Sequence, residues 1–386
     1  MTYAQRTTHL KAEGAYQVLA KANQLEATGR EIVHFEIGQP DFDTFANVSM
    51  AGIRAITEGR TRYTPPSGMP SLQQVIADDC GRRRGIKIDP SEVVIGPGAK
   101  PALFFPTLAL IEPGDEVIYP NPGFPTYEAM IRVAGGVPVA VPLLEESNFS
   151  FDLSVFDRLV NARTKMIILN SPSNPTGGVM PMADLEHIAE KALEHDCWVM
   201  SDEIYARIAY DGLSVPSITS LAGMQARSII VDGFSKTYAM TGWRLGYGIM
   251  PRELADKVGL LLTHSIGSTA QFTQYAGVEA VLGQQGQVDS VVAEYQRRRD
   301  LIVAGLNNTP GVHCQSPQGA FYVFPNIKDT GMSSDELANL ILEKAGVALL
   351  PGSSFGEYGE GYLRLSYANS IKNIELGLEK IQAVLK

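Results

Sequence analysis

Residues 166–202 read MIILNSPSNPTGGVMPMADLEHIAEKALEHDCWVMSD, and this stretch decides the fold. Met166–Asn170 and Trp198–Asp202 are short, apolar, β-rich runs. Between them Leu185, Ile188, Ala189, Ala192 and Leu193 recur at helical spacing, which predicts one apolar stripe on a helix of about 14 residues. Strand, crossover helix and strand form a βαβ unit. Further runs at Val93–Ile95, Glu116–Tyr119, Ser228–Val231 and Leu245–Ile249 repeat the pattern. The expectation is an α/β fold, a mostly parallel central sheet with helices on both faces.

The ends of the chain read differently. Residues 14–30 are helix-like and are followed by an extended Ile32–Ile37. From about 286 a long charged helix runs through Arg299 to Leu306. Then come a strand at Phe321–Phe324, a helix after Ser333-Ser334, a strand at Leu363–Ser366 and a last helix burying Ile374, Leu378, Ile381 and Leu385. A chain of 386 residues favours two domains. The predicted division is a large domain over 46–285 and a smaller α+β domain built from 1–45 and 286–386.

Composition narrows the functional classes. Hydrophobic residues are 45% and charged residues 19%, the balance of a globular protein. The net charge of −10 argues against nucleic acid or an anionic membrane as the main partner. The triplets Arg82–Arg84 and Arg297–Arg299 read as solvated helix faces, since neither extends into a longer run. Cys80, Cys197 and Cys314 are too few and scattered for a disulfide framework or a zinc site, and no metal is expected. Cys197, in Cys197-Trp198-Val199-Met200, reads as a small core residue. Met1 to Gly14 has no apolar signal core, and Ala102–Ile111 is too short for a membrane span and broken by Pro106. The sequons at Asn47 and Asn148 are chance matches on that reading. The expected compartment is the cytoplasm.

Polar clusters fall just after strand ends, where an open parallel sheet binds ligands. Asn170-Ser171-Pro172-Ser173-Asn174-Pro175-Thr176-Gly177 follows one strand, Ser201-Asp202-Glu203-Ile204-Tyr205 ends the next, and Gly233-Phe234-Ser235-Lys236 follows a third. Gly96-Pro97-Gly98-Ala99-Lys100-Pro101 lacks the third glycine of a dinucleotide fingerprint and the hydroxyl residue that follows the lysine of a phosphate-binding loop. Its backbone N–H groups at a helix start still suit one phosphate monoester. Taken alone, Asp202 reads as a helix N-cap, Asn174 as a turn residue and Phe124 as a core aromatic.

Together with Asn174-Pro175-Thr176-Gly177 and the run from Ser235 to Arg244, SKTYAMTGWR, the Asp202 cluster resembles the class I, pyridoxal-phosphate-dependent aminotransferases, in their bacterial aspartate-aminotransferase-like branch. The similarity runs from Gly38-Gln39-Pro40-Asp41-Phe42 to Arg364-Leu365-Ser366-Tyr367. It implies the fold type I architecture, pyridoxal 5'-phosphate as cofactor, a homodimer with shared sites, and small amino acids and 2-oxo acids as substrates. By that resemblance Lys236 carries the cofactor as a Schiff base and shuttles the proton, Asp202 pairs with the pyridine nitrogen, and Tyr205 bonds the ring's 3′ oxygen. Asn174 serves the same oxygen or the substrate carboxylate, and Phe124 stacks on the ring. The phosphate falls to backbone groups at Gly98, Ala99 and Lys100, the Ser235 hydroxyl and Arg244, with Tyr63 reaching the neighbouring subunit's phosphate. Arg364 and the backbone of Gly38 take the substrate α-carboxylate. Gly233 departs from the pattern, standing where many relatives place a phosphate-binding serine.

Substrate signals pull two ways. No arginine lies between Arg252 and Arg297 to read a distal carboxylate from the partner subunit. Lys100 stands where the branch can place a lysine for that purpose, favouring dicarboxylic substrates. Glu13, in Lys11-Ala12-Glu13-Gly14-Ala15-Tyr16, would repel them if it points inward. Glutamate with 2-oxoglutarate is the expected first pair, and aspartate or another amino acid the second. The alternatives are a β-lyase on the same scaffold and a non-catalytic sensor.

Overall fold

The computed structural model describes residues 3–8, 10 and 12–386. Its main sheet has eight strands, in the order Val93–Gly96, Gly246–Ile249, Ser228–Gly233, Trp198–Asp202, Thr164–Asn170, Glu116–Asn121, Val137–Leu144 and Ser150–Phe151. The central pairings are parallel, while Gly246–Ile249 runs antiparallel to both neighbours and Ser150–Phe151 antiparallel at the far edge.

Alternation along the strands shows why helices cover both faces. Ile167, Leu169 and Val199 share one apolar cluster with Leu185, Ile188, Ala189 and Ala192 of the helix Met182–Glu194. Met166, Ile168 and Met200 point the other way, into a cluster with Leu103, Met130 and Leu254 from three further helices. Buried on both sides, these strands read as unbroken apolar runs.

Several expectations need correction. Leu193 does not join the buried stripe; it is exposed at the last turn of its helix, beside Gly223. Val137–Leu144 and Ser150–Phe151 form strands that periodicity did not mark. Pro138 and Pro142 disguise the first, and a strand whose outer side is paired only at Leu143 and Leu144 tolerates them. The arginine triplets are not wholly solvated faces: the side chains of Arg82 and Arg297 are exposed, while those of the other four are largely covered. Each of the others has a carboxylate close by. Arg84 meets Glu203, Arg83 meets Asp79, Arg298 meets Asp41 and Arg299 meets Asp211. Pairing of this kind is what lets a guanidinium lie away from water.

The chain ends share structure. Val33–His34 pairs in parallel with Val347–Ala348, and Tyr322–Val323, Leu363–Ser366 and Leu350–Pro351 form a three-stranded antiparallel sheet. Ile302 and Leu306 of the helix Gly286–Asn307 pack with Ile374, Leu378 and Ile381 of the helix Ile371–Leu385, while Leu385 is only partly buried. Gly305 permits the crossing, because a Cβ there would stand 2.3 Å from Leu378 Cδ1. Among the described residues no helix is long and apolar enough to cross a membrane.

Candidate active site

Strand register brings the polar clusters together. Asn170 is level with Asp202, and Asp202 with Val231, so three strand ends open on one edge. Beyond that edge lies a cavity of about 1350 Å³, lined by Gly38, Ala99, Lys100, Phe124, Asn174, Asp202, Tyr205, Ser235, Lys236, Arg244 and Arg364. Of the expected site residues, Gly98 and Tyr63 are not in this lining. Tyr63 is 97% exposed, and Gly98 lies behind the wall against Arg244.

Lys236 Nζ donates to the Gly38 carbonyl at 2.6 Å and sits 5.9 Å from the centroid of the Tyr205 ring. Burial, with Arg364 and Arg244 nearby, pushes its ammonium down to about 8. Asp202 Oδ2 accepts from the Tyr127 hydroxyl at 2.8 Å and Oδ1 from the Ile204 N–H at 3.2 Å. Burial pushes this carboxyl up to about 6. A turn, not a helix, follows Asp202, so the capping alternative falls away.

Arg364 is buried. Its Nη2 donates to the Glu36 carbonyl, its Nη1 lies 3.5 Å from Asn174 Oδ1, and its Nε is buried without a partner among the described residues. The guanidinium stacks 4.6 Å over the Tyr322 ring. Burying a guanidinium with an idle donor is costly, and a carboxylate or other planar anion is the partner that matches it. Asn174 is held through its own N–H, which donates to Asn170 Oδ1 at 2.9 Å.

The loop after Val93–Gly96 approaches the sheet closely. Gly98 has φ +89°, and a Cβ there would meet Arg244 Nη2 at 2.3 Å. Its N–H is taken by the Gly96 carbonyl at 2.8 Å, so Gly98 supplies the turn and not a free donor. Ala99 caps the helix Lys100–Leu110 without a side-chain bond, and N–H groups at a helix start have no intrahelical acceptor. Arg244, itself left-handed at φ 55°, donates to the carbonyls of Thr241 and Pro97. At Gly233 a Cβ would lie 3.0 Å from the Gly246 Cα, so a serine there requires the neighbouring strand to give by a few tenths of an ångström. Phe124 packs edge-on against Tyr127.

Two aromatic residues escaped the sequence reading. Tyr127, on the helix Thr126–Ala134, is fully buried and holds Asp202. Tyr322 places its hydroxyl 2.7 Å from that of Tyr205, and a Cβ on Gly38 would stand 2.0 Å from it. Gly38 is therefore a glycine because Tyr322 fills the space beside it. Each tyrosine looks like any core aromatic in the sequence; the one local hint was Tyr127 within Pro122-Gly123-Phe124-Pro125-Thr126-Tyr127.

Behind Asp202 lies a buried ion pair. Arg84 Nε and Nη2 reach Glu203 Oε2 at 3.0 and 2.5 Å, while Ser201 and Ser217 donate to Oε1. Arg84→Ala strands the Glu203 carboxylate and should cost about 3–5 kcal/mol, read as a lower urea midpoint. Arg84→Met with Glu203→Gln should recover most of it; a single-variant loss below about 1 kcal/mol would mean that water compensates the charge.

The chain matches the family model for class I and II aminotransferases over residues 30–381. It is 39% identical to an aspartate aminotransferase of Pyrococcus abyssi, over 95% of each chain. An aromatic-amino-acid aminotransferase of Thermococcus litoralis is 38% identical over 92% of each. The structure of the Thermus thermophilus aspartate aminotransferase with maleate superposes with a TM-score of 0.95 at 37% identity, covering 100% of both chains. With family match, fold and site on one chain, this protein belongs to the class I and II aminotransferase family and is an aminotransferase.

Proposed function

We propose that this aminotransferase uses pyridoxal 5'-phosphate to move an amino group from an amino acid to a 2-oxo acid in two successive half-reactions. Glutamate with 2-oxoglutarate is one pair, and aspartate or another amino acid supplies the second. The observation that carries the reading is the placing of Lys236, with its lowered ammonium pKa, in one cavity with a buried carboxylate and a buried guanidinium that has an idle donor.

The residues fit the group. Ala99 and Lys100 N–H, the Ser235 hydroxyl and Arg244 would hold its phosphate, a role that Gly98 serves through its turn. Phe124 would lie against the ring, Asp202 would hold the proton on the ring nitrogen, Tyr205 would hydrogen-bond the ring oxygen, and Asn174 the same oxygen or the substrate carboxylate. When bound, the cofactor supplies an electron-withdrawing ring that stabilises negative charge at the substrate Cα.

Lys236 would anchor the cofactor at rest, and its amine would then take the proton from the substrate Cα and pass it on as general acid. Arg364 and the Gly38 backbone grip the α-carboxylate, which orients the Cα–H bond toward Nζ. Tyr127 keeps Asp202 oriented through its 2.8 Å bond. Tyr322 shares the Tyr205 hydroxyl and packs under Arg364, bracing both.

The proposed assembly is a cytoplasmic homodimer of two-domain subunits divided at 46–285, with 1–45 and 286–386 as the small domain. Met50, Ile53 and Ile56 leave an apolar stripe exposed on the helix Ala46–Thr57, near in sequence to the fully exposed Tyr63. That surface would bring Tyr63 to the partner's phosphate.

An absorbance titration of the purified protein tests the reading. The visible cofactor band should fall on addition of glutamate and return with 2-oxoglutarate. Ammonia and pyruvate released from a sulfur amino acid would point instead to the lyase. No band, even after addition of pyridoxal phosphate, would remove the Lys236 assignment.

A further inference from the structure

We infer that Glu13 and Lys100 form an exchangeable ion pair that sets the side-chain preference of the enzyme. Paired, they present a wall without net charge to an uncharged substrate side chain. A substrate with a second carboxylate must displace Glu13 to reach Lys100. The inference rests on the amino-transfer reading above.

Glu13 is the N-cap of the helix Gly14–Glu26, yet its side chain makes no capping bond. Its carboxylate instead accepts from Lys100 Nζ at 2.5 Å. The helix start packs closely on Ser354, since a Cβ on Gly14 would stand 2.6 Å from its Oγ. The bond to Lys100 shows that Glu13 reaches across the cavity.

Lys100 opens its own helix, where the positive end of the backbone dipole disfavours an ammonium. The Glu13 carboxylate and the face of Phe124, 5.3 Å from Nζ, offset that. Both charged residues line the cavity, and Ala15, Tyr16 and Leu19 from the same N-terminal helix continue its wall with largely apolar surface. The Lys100 side chain is 52% exposed and that of Glu13 28%, so the pair is weak enough to be exchanged by an incoming carboxylate.

The test compares holoenzyme of the natural sequence with Glu13→Gln and Lys100→Met. Calorimetry reads binding of succinate, a dicarboxylate, and butyrate, its monocarboxylate counterpart; neither can donate an amino group. Glu13→Gln should tighten succinate about fivefold and leave butyrate unchanged, while Lys100→Met should weaken succinate by at least as much. The kcat/KM ratio for glutamate over leucine should shift in the same directions.

An unchanged succinate-to-butyrate ratio in Glu13→Gln, or undiminished succinate binding in Lys100→Met, overturns the inference. Equal tightening of both ligands overturns it too, since that is a general charge effect. Should no amino acid react with the natural enzyme, the amino-transfer reading falls, while calorimetry still decides the fate of the pair.

Discussion

Lys236→Ala should lower turnover by about 10⁴-fold, the scale set by loss of a positioned acid–base group. Substrate affinity should change little, since the proposed carboxylate grip by Arg364 and Gly38 is untouched. Lys236→Arg should be no better, because a guanidinium does not lose its proton near neutral pH. The site works against the protonated amine. Burial, Arg364 and Arg244 all act against the ammonium and bring it to about 8. At pH 7 about a tenth of such amines are neutral, against about one in three thousand for an ordinary lysine. In cofactor-free protein, acylation of Lys236 by a small amine-reactive acyl donor should therefore rise about tenfold per pH unit up to about 8, then level. Single-turnover kinetics check the first claim and peptide mapping the second. A Lys236→Ala enzyme retaining a hundredth of its turnover would mean that another base takes the Cα proton.

Asp202→Asn should lower kcat about 10²–10³-fold, the usual cost of removing one preorganised charge from a reacting site. The amide keeps the shape: its oxygen can accept from the Ile204 N–H while its NH2 donates to the Tyr127 hydroxyl, so the loss reports mainly charge. The same substitution should stabilise the cofactor-free protein. Burial raises the folded carboxyl from 3.8 to about 6, so between those values the folded state holds a proton that the unfolded state has released. Stability contributed by this group falls as pH rises through that window and stays low above it. At pH 7 cofactor-free Asp202→Asn should therefore gain about 1–3 kcal/mol, a gain that vanishes near pH 4. Urea unfolding at the two pH values decides it. A variant less stable than the parent at pH 7 would show that the carboxylate is well solvated.

Legibility in the sequence followed physical range. Where the code is local it could be read: the helix from 182 to 194 announces itself by apolar spacing, and its strands by continuous burial. Lys236, Asp202 and Asn174 stand in short motifs at strand ends, and the parallel topology carries them to one edge. Tyr322 lies 117 positions from Tyr205, and no periodicity links two such phenols. The arginine triplets misled for the same reason: a helix supplies the charges, but partners from distant elements decide whether they are buried.

By itself, the sequence determined the central strand–helix–strand units, the mostly parallel sheet and the short polar motifs at strand ends, because backbone preference and apolar periodicity act over a few residues. Only the tertiary structure decided the partners. Tyr127 under Asp202, Tyr322 against Gly38, Arg84 beneath Glu203, the strand backbone in the space beside Gly233 and Glu13 across from Lys100 are contacts between remote segments. Desolvation and hydrogen-bond geometry act through space, so the acidity of Lys236 and Asp202 was set only when the chain closed around them.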